Sequence, residues 1–277
     1  MKFTPLEIEG NVNVSQTKPI AEFVWLAGEL VLLVVGAYLL LGLATDLLAA
    51  RIPVAAETWL GSRSLASFHG AANPALDRRL QELISRLPAD SPLRRYRFSA
   101  HLLESDTVNA VALPGGHILV FSGLLRKVQS ENELAMVLAH ELGHYVHRDH
   151  VRGLGRGLGI AMAAQLLMGS DSSATEFVSR LTLPLFARYS QAQEQAADAF
   201  AVDLIRSRFG HAGGASDFFG RLHNEEGESR SYILASHPSP QDRISRISDR
   251  IAKRRYPVRP TLPLGRDVLQ PKAEKKS

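Results

Sequence analysis

Residues 130–150 read SENELAMVLAHELGHYVHRDH, and this stretch decides the fold. Ser130 with Glu133 three positions later is the capping-box signature of a helix start. Apolar residues follow at helical spacing, and the helix is expected to run toward His150. Within it, His140 and His144 lie one turn apart and project from the same face. Two imidazoles so placed can meet one tetrahedral zinc ion, while Glu141, offset around the helix, faces a water on the metal. A metal-polarised water with a carboxylate beside it suits hydrolysis: the carboxylate takes a proton and hands it to a leaving amine. Gly143 is expected to leave room beside the metal.

Five letters recur by chance, so the metal needs further donors elsewhere in the chain. A catalytic zinc takes a third protein ligand and keeps an open fourth position. Glu194, in YSQAQEQAAD at 189–198, is the candidate third ligand. Asp198, one turn on and on the same face, can accept the far N–H of a ligand imidazole and orient the ring. The alternative is a solvated acidic pair on an amphipathic helix. His147, three residues past His144, could rival Glu194, or act with His150 behind the ligands or as a structural residue. His117 is expected to be a surface or packed residue.

Around these residues the pattern predicts a helix capped by Asn73, with Pro74 in its first turn, that ends before Pro88. Strand-like runs follow at 97–103, 107–113 and 117–121, the last two joined through Pro114-Gly115-Gly116. Further helices are expected over 191–206 and 240–254. Residues 46–72 read as a linker, 73–255 as the catalytic domain, and 256–277, rich in Pro and Lys, as a flexible tail. The apolar stretch 157–168 is too short to span a bilayer and suits a core or interfacial helix.

Preceding all of this, behind an N-terminal tail at 1–22, residues 23–45 read FVWLAGELVLLVVGAYLLLGLAT. That is long and apolar enough for one transmembrane helix. Glu29 is the exception, and it lies about two turns in, where headgroups can reach it. Lys2 and Lys18 on one side balance Arg51 and Arg63 on the other, so flanking charge does not orient the anchor. A lone N-terminal anchor commonly leaves the following domain outside the cytoplasm, so an inner-membrane, single-pass protein with an extracytoplasmic catalytic domain is expected.

The chain of 277 residues has no cysteine, which excludes disulfides and thiolate metal sites. A net charge of +4 carried by scattered Arg, without interleaved aromatics, gives no nucleic-acid footprint.

The ordered set HELGH at 140–144, Glu194 with Ala197-Asp198, and Ser236-His237-Pro238 with Arg243 resembles the gluzincin endopeptidases of the CAAX prenyl protease, HtpX and BepA type. The run Asn109-Ala110-Val111-Ala112-Leu113-Pro114-Gly115-Gly116 is similar to the segment that precedes the zinc helix in that family. The resemblance covers residues 70–255. It implies an α+β, mostly helical zincin domain with a small β-sheet, holding one Zn2+ per subunit. Its edge strand, at Asn109, Ala110, Val111 and Ala112, would pair with an extended peptide. It also gives His237 a place near the metal, either on the developing oxyanion or in the fourth coordination position. Arg243 would add positive charge there or pair with an acid. The multi-span members carry several membrane helices where this chain offers one. Cleavage of unfolded or membrane-associated proteins at the lipid bilayer therefore fits better than prenyl-peptide processing in an intramembrane chamber. An inactive, zinc-containing, membrane-tethered adaptor is the alternative, and the presence of Glu141 argues against it.

Overall fold

The computed structural model describes residues 18–49, 51–68, 70–157, 169, 189–224, 237 and 240–268. The expectations for residues 1–17, 158–168 and 269–277, and for Ser236 and Pro238, lie outside the described residues. The chain divides into two units, Met1–Ala44 and Thr45–Ser277. Helix α1, Pro19–Ala49, runs through the first and ends in the second. Its 31 residues have an 18-residue window of mean hydropathy 2.3, long and apolar enough to cross a membrane. It starts four residues before the expected anchor, so 19–22 are helical rather than tail.

In the second unit the expected linker at 46–72 contains a helix, α2 (Val54–Phe68). Its Ala- and Ser-rich sequence gives a weak apolar period; the helix packs against the β3–β4 turn at Gly61 and buries one acid, Glu57. A short strand β1 (Ala71–Ala72) leads into α3 (Pro74–Ser85). Asn73 caps α3 by accepting from the Ala75 and Leu76 amides at 3.0 and 3.1 Å. Leu76, Leu80 and Leu83, spaced on one face, are all fully buried.

Strands β2 (Ser99–Leu103), β3 (Ala110–Leu113) and β4 (His117–Phe121) complete a sheet of order β1-β2-β4-β3. β2 runs parallel to β4, and β3 antiparallel to β4 with Ala110 opposite Val120. Two of these strands start later than expected. Residues 105–107 turn on their own side chains, Thr107 N–H donating to Ser105 Oγ at 3.2 Å. Among the described residues β3 is an edge strand. Ala100, Leu102, Ala110, Ala112, Ile118 and Val120 face the core. The β3–β4 turn brings Gly115 to φ 80° against α2, where a Cβ would lie 2.7 Å from the Thr58 Cα.

Helix α4 (Ser122–Lys127) precedes α5, Glu131–Val146. Ser130 Oγ accepts from the Glu133 amide at 3.2 Å, but Glu133 reaches back to the Gln129 amide rather than to Ser130, so the expected capping box is half made. α5 also stops short of His150. Arg148 sits in the left-handed region at φ 56°, which costs about 1–2 kcal/mol, and a new helical stretch occupies 149–157.

Helix α6 (Gln191–Phe209) opens with a complete capping box between Ser190 and Gln193. It packs on α5 at Gly143, where a Cβ would stand 2.7 Å from the Ala197 Cα. Gly143 therefore makes room for α6, not for the metal. Helices α7 (Asp217–Asn224) and α8 (Pro240–Arg254) close this side. The chain beyond Tyr256, expected as a flexible tail, is packed as far as Val268. Ala212 N–H donates to Pro257 O at 2.8 Å, Glu131 N–H to Leu262 O at 2.9 Å, and Arg79 pairs with Asp267. Apart from a bridge between Pro263 and Ser130 and a 3-10 turn at Arg266–Val268 it is irregular, and its backbone carbonyls satisfy donors on α5 and beyond α6.

The helix contact makes a paired prediction. Gly143→Ala will destabilise the metal-free protein by about 1–3 kcal/mol through overpacking. Gly220→Ala in α7, where a Cβ meets nothing within 4 Å, will be neutral or stabilising. Thermal unfolding of both variants checks the contrast.

Candidate metal centre

α5 and α6 each present a polar pair from the face that carries the small residue of their contact. His140 and His144 come from α5, and Glu194 and Asp198 from α6. All four are buried. His140 Nε2 and His144 Nε2 approach to 3.1 Å. Glu194 Oε2 lies 3.5 Å from the first and Oε1 3.5 Å from the second. With His237, these side chains offer four ligand atoms within 4.8 Å of one another. His237 Nδ1–H donates to Glu194 Oε1 at 2.7 Å.

The donor set fits a zinc ion. Tetrahedral zinc with bonds of about 2.0–2.1 Å separates its ligands by about 3.3 Å, close to the spacing of His140, His144 and Glu194. Each imidazole turns its Nδ1 outward to a carboxylate: His140 to Asp198 Oδ1 at 2.9 Å, and His144 to Asp149 Oδ2 at 3.0 Å. That arrangement leaves the Nε2 atoms facing one another, with Arg243 Nη2 also 2.9 Å from His140 Nδ1. Glu194 Oε2 is fully buried with no hydrogen-bond partner among the described residues. That oxygen lies 3.5 Å from His140 Nε2 and 3.7 Å from Arg243 Nη1, so it is left to ion pairing or to a metal ion for compensation.

The surroundings set the charge of each ring. Burial and then the Arg243 guanidinium push His140 down to about 3. Burial also opposes charge on His144, but the bond to Asp149, followed by Glu194, outweighs it and raises the ring to about 9. Burial likewise opposes charge on Glu194, yet His237 and His140 hold its carboxyl far below the usual range.

Arg243 is buried at the side of the cluster. Its Nε and Nη2 donate to Asp198 at 3.1 and 2.6 Å, and the guanidinium lies 4.0 Å over the Phe219 ring. It pairs with an acid and also brings positive charge to the cluster, with Nη1 3.7 Å from Glu194 Oε2, so both uses considered for it are compatible with its geometry. Glu141 Oε2 accepts from the Ala112 amide of β3 at 2.9 Å, while Oε1 stands 4.0 Å from His237 Nε2. Burial pushes the Glu141 carboxyl up, as suits a base. A cleft beside these groups is lined by Asn109, Ala110, Leu124, Val137, Phe218 and Phe219, with His140, Glu141, His237 and Arg243.

His147 is exposed as the C-cap of α5, away from the cluster, and His150 bonds Glu57 instead. His117 is half-buried and bonds Ser99 Oγ at 2.9 Å. Three contributors carried no motif. Asp149 orients His144, Gln193 Nε2 donates to Asp149 Oδ1 at 2.7 Å, and Tyr189 stacks on His144 at 3.7 Å. Asp149 lies five residues past His144, so an acid just beyond the histidine pair was the available signal.

Comparison with known proteins agrees with this geometry. The family model for Peptidase family M48 matches residues 71–251. A putative β-barrel assembly-enhancing protease of Vibrio cholerae is 28% identical over 198 residues, 67% of this chain and 40% of that protein. Metalloprotease LoiP of Escherichia coli is 30% identical over 52% of this chain and 59% of its own length. The mitochondrial metalloendopeptidase OMA1 of Schizosaccharomyces pombe is 28% identical over 68% of this chain and 56% of its own. The chain thus spans between 40 and 59% of the length of these relatives.

If the cluster binds metal as its spacing suggests, Glu194→Gln will weaken zinc binding by at least 100-fold, since a carboxylate is replaced by a neutral amide among buried nitrogens. Competition with a chromophoric chelator measures it, and unchanged affinity would remove Glu194 from the ligand set.

Proposed function

This chain belongs to peptidase family M48, and from that premise we propose that it is a membrane-anchored zinc endopeptidase. The observation that carries the reading is the buried cluster of His140, His144, Glu194 and His237, with Glu141 beside it and an edge strand across the cleft. His140, His144 and Glu194 would hold the metal, with Asp198 behind His140. When bound, zinc supplies Lewis acidity to a carbonyl and makes water a usable nucleophile near neutral pH.

The protein's own groups account for the remainder. One Glu141 oxygen is committed to the Ala112 amide, so Oε1 is the atom that takes a proton from the attacking water and returns it to the departing amine nitrogen. His237, inside the cluster, fills the fourth ligand position at rest or presents Nε2–H to the developing oxyanion. Arg243 keeps Asp198 ionised, and Asp198 in turn holds His140 by its Nδ1–H. A peptide in extended form would pair along Asn109, Ala110, Val111 and Ala112. The lining by Leu124, Val137, Phe218 and Phe219 favours an apolar side chain near the scissile bond.

α1 supports membrane anchoring, since at about 1.5 Å per residue its length exceeds the roughly 30 Å hydrocarbon core. With two relatives named for β-barrel assembly and for a mitochondrial metalloendopeptidase, quality control of unfolded membrane or envelope proteins is the role that fits best. The domain layout follows: an anchor near 23–45, then the catalytic domain on the extracytoplasmic side of the inner membrane.

Glu141→Gln will retain zinc but lose at least 1000-fold in cleavage of an unfolded casein-type substrate. Full activity in that variant would overturn the mechanism, and zinc uptake without turnover by the unsubstituted protein would favour the adaptor. Alkaline phosphatase fused after Ser277 will be active in cells, and an inactive fusion would reverse the orientation.

A further inference from the structure

Glu57 is a carboxylate 1% exposed, on a helix that begins five residues after α1 ends, in a stretch with no catalytic motif. It gathers three partners from two parts of the chain. The Arg148 guanidinium forms a close ion pair with Oε1, His150 Nε2 bonds Oε2 at 3.1 Å, and Tyr96 Oη–H reaches the carboxylate at 3.2 Å. Burial alone would raise this carboxyl, but His150 and then Arg148 hold it below its ordinary value.

Two of those partners flank one residue. Between Arg148 and His150 stands Asp149, which accepts the Nδ1–H of His144. The backbone there is not at rest, because Arg148 holds φ 56° without being glycine. Its side chain is pinned by Glu57 and by Ile52 O at 2.5 Å. The bend that turns Asp149 back under His144 is therefore held from both sides by a single acid.

We infer that Glu57 is a positioning residue for the metal centre: by clasping Arg148 and His150 it sets Asp149, and through Asp149 the orientation of His144. The inference rests on the metal reading of the cluster. It links the helix that follows the apolar segment to the ligand set through two side-chain steps.

The test uses the full-length protein in detergent, stripped of metal and titrated with zinc against a chromophoric chelator. Glu57→Gln, Asp149→Asn and the double variant are compared, with the thermal midpoint of each metal-free form recorded alongside. Glu57→Gln will weaken zinc binding about 10-fold and Asp149→Asn by about 10–100-fold, as for groups that orient a ligand imidazole. The double variant will lose no more than Asp149→Asn alone, because both act on the same ring. Glu57→Gln with unchanged zinc affinity and only a lower midpoint would overturn the inference, as would a double variant showing the product of the single losses. Should Glu57→Gln fail to fold, Arg148→Gly keeps the left-handed bend without strain and removes one arm of the clasp. A loss of affinity in that variant that does not add to Asp149→Asn supports the inference, and unchanged affinity overturns it. Unsubstituted protein that takes up no zinc would instead sink the metal reading, and this inference with it.

Discussion

Two helices meet closely enough for Gly143 on one to touch the Ala197 backbone on the other, and the arrangement of the centre follows from that contact. The spacing on the two sides is the same. His140, Gly143 and His144 stand at i, i+3 and i+4 on α5, as Glu194, Ala197 and Asp198 do on α6. One face of each helix thus delivers a small residue for the approach and two polar residues for the site. A side chain at Gly143 would push the helices apart and carry Glu194 away from the imidazoles. Packing and ligation are one constraint here.

Bringing the helices together buries Glu141, Asp149, Glu194 and Asp198 in one small volume. Carboxylates in so dry a place are unfavourable unless each meets a partner. Asp198 meets Arg243 and His140; Asp149 meets His144 and Gln193; Glu141 meets a backbone amide. Glu194 has His237 on one oxygen and no hydrogen bond from the described residues on the other. That oxygen has only longer ion-pair contacts, with Arg243 Nη1 at 3.7 Å and His140 Nε2 at 3.5 Å, and a divalent cation there would give it a direct partner. Tyr189 stacks on the His144 ring and Phe219 lies under the Arg243 guanidinium, so both flank the cluster.

The parts of this design carried by period and spacing were legible in the sequence. The His pair, Glu194, Asp198, the Asn73 and Ser130 helix starts and the three main strands all follow local rules. What was not legible depends on distant chain. Glu57 lies in a stretch whose weak apolar period reads as linker, and it becomes structural only because Arg148, His150 and Tyr96 converge on it. Asp149 was hidden by the assumption that α5 continues to His150, since nothing local announces a left-handed arginine. The segment after Tyr256 looks like a tail because proline and lysine dominate it. Its order comes from carbonyls and an acid that answer donors on distant elements, which no local pattern encodes. Gly143 was read correctly as making room, but for the wrong neighbour, because spacing shows that a site is crowded without showing by what.

The edge strand shows how the same residues serve stability and the site. An open strand edge is a template for another chain, and β3 is such an edge. Its outward donors are nevertheless met from within: the Ala110 amide by Asn109 Oδ1 at 2.9 Å, and the Ala112 amide by Glu141. Both caps are side chains that also line the cleft. An extended peptide has to displace them to gain those hydrogen bonds, so the edge is closed to casual pairing yet not permanently sealed. Under the proposed function that exchange would be nearly even in hydrogen-bond number, so affinity would have to come from elsewhere, such as apolar contact with the cleft walls. The carboxylate that caps the Ala112 amide is thus also the proposed base, so the strand edge and Glu141 share one hydrogen bond.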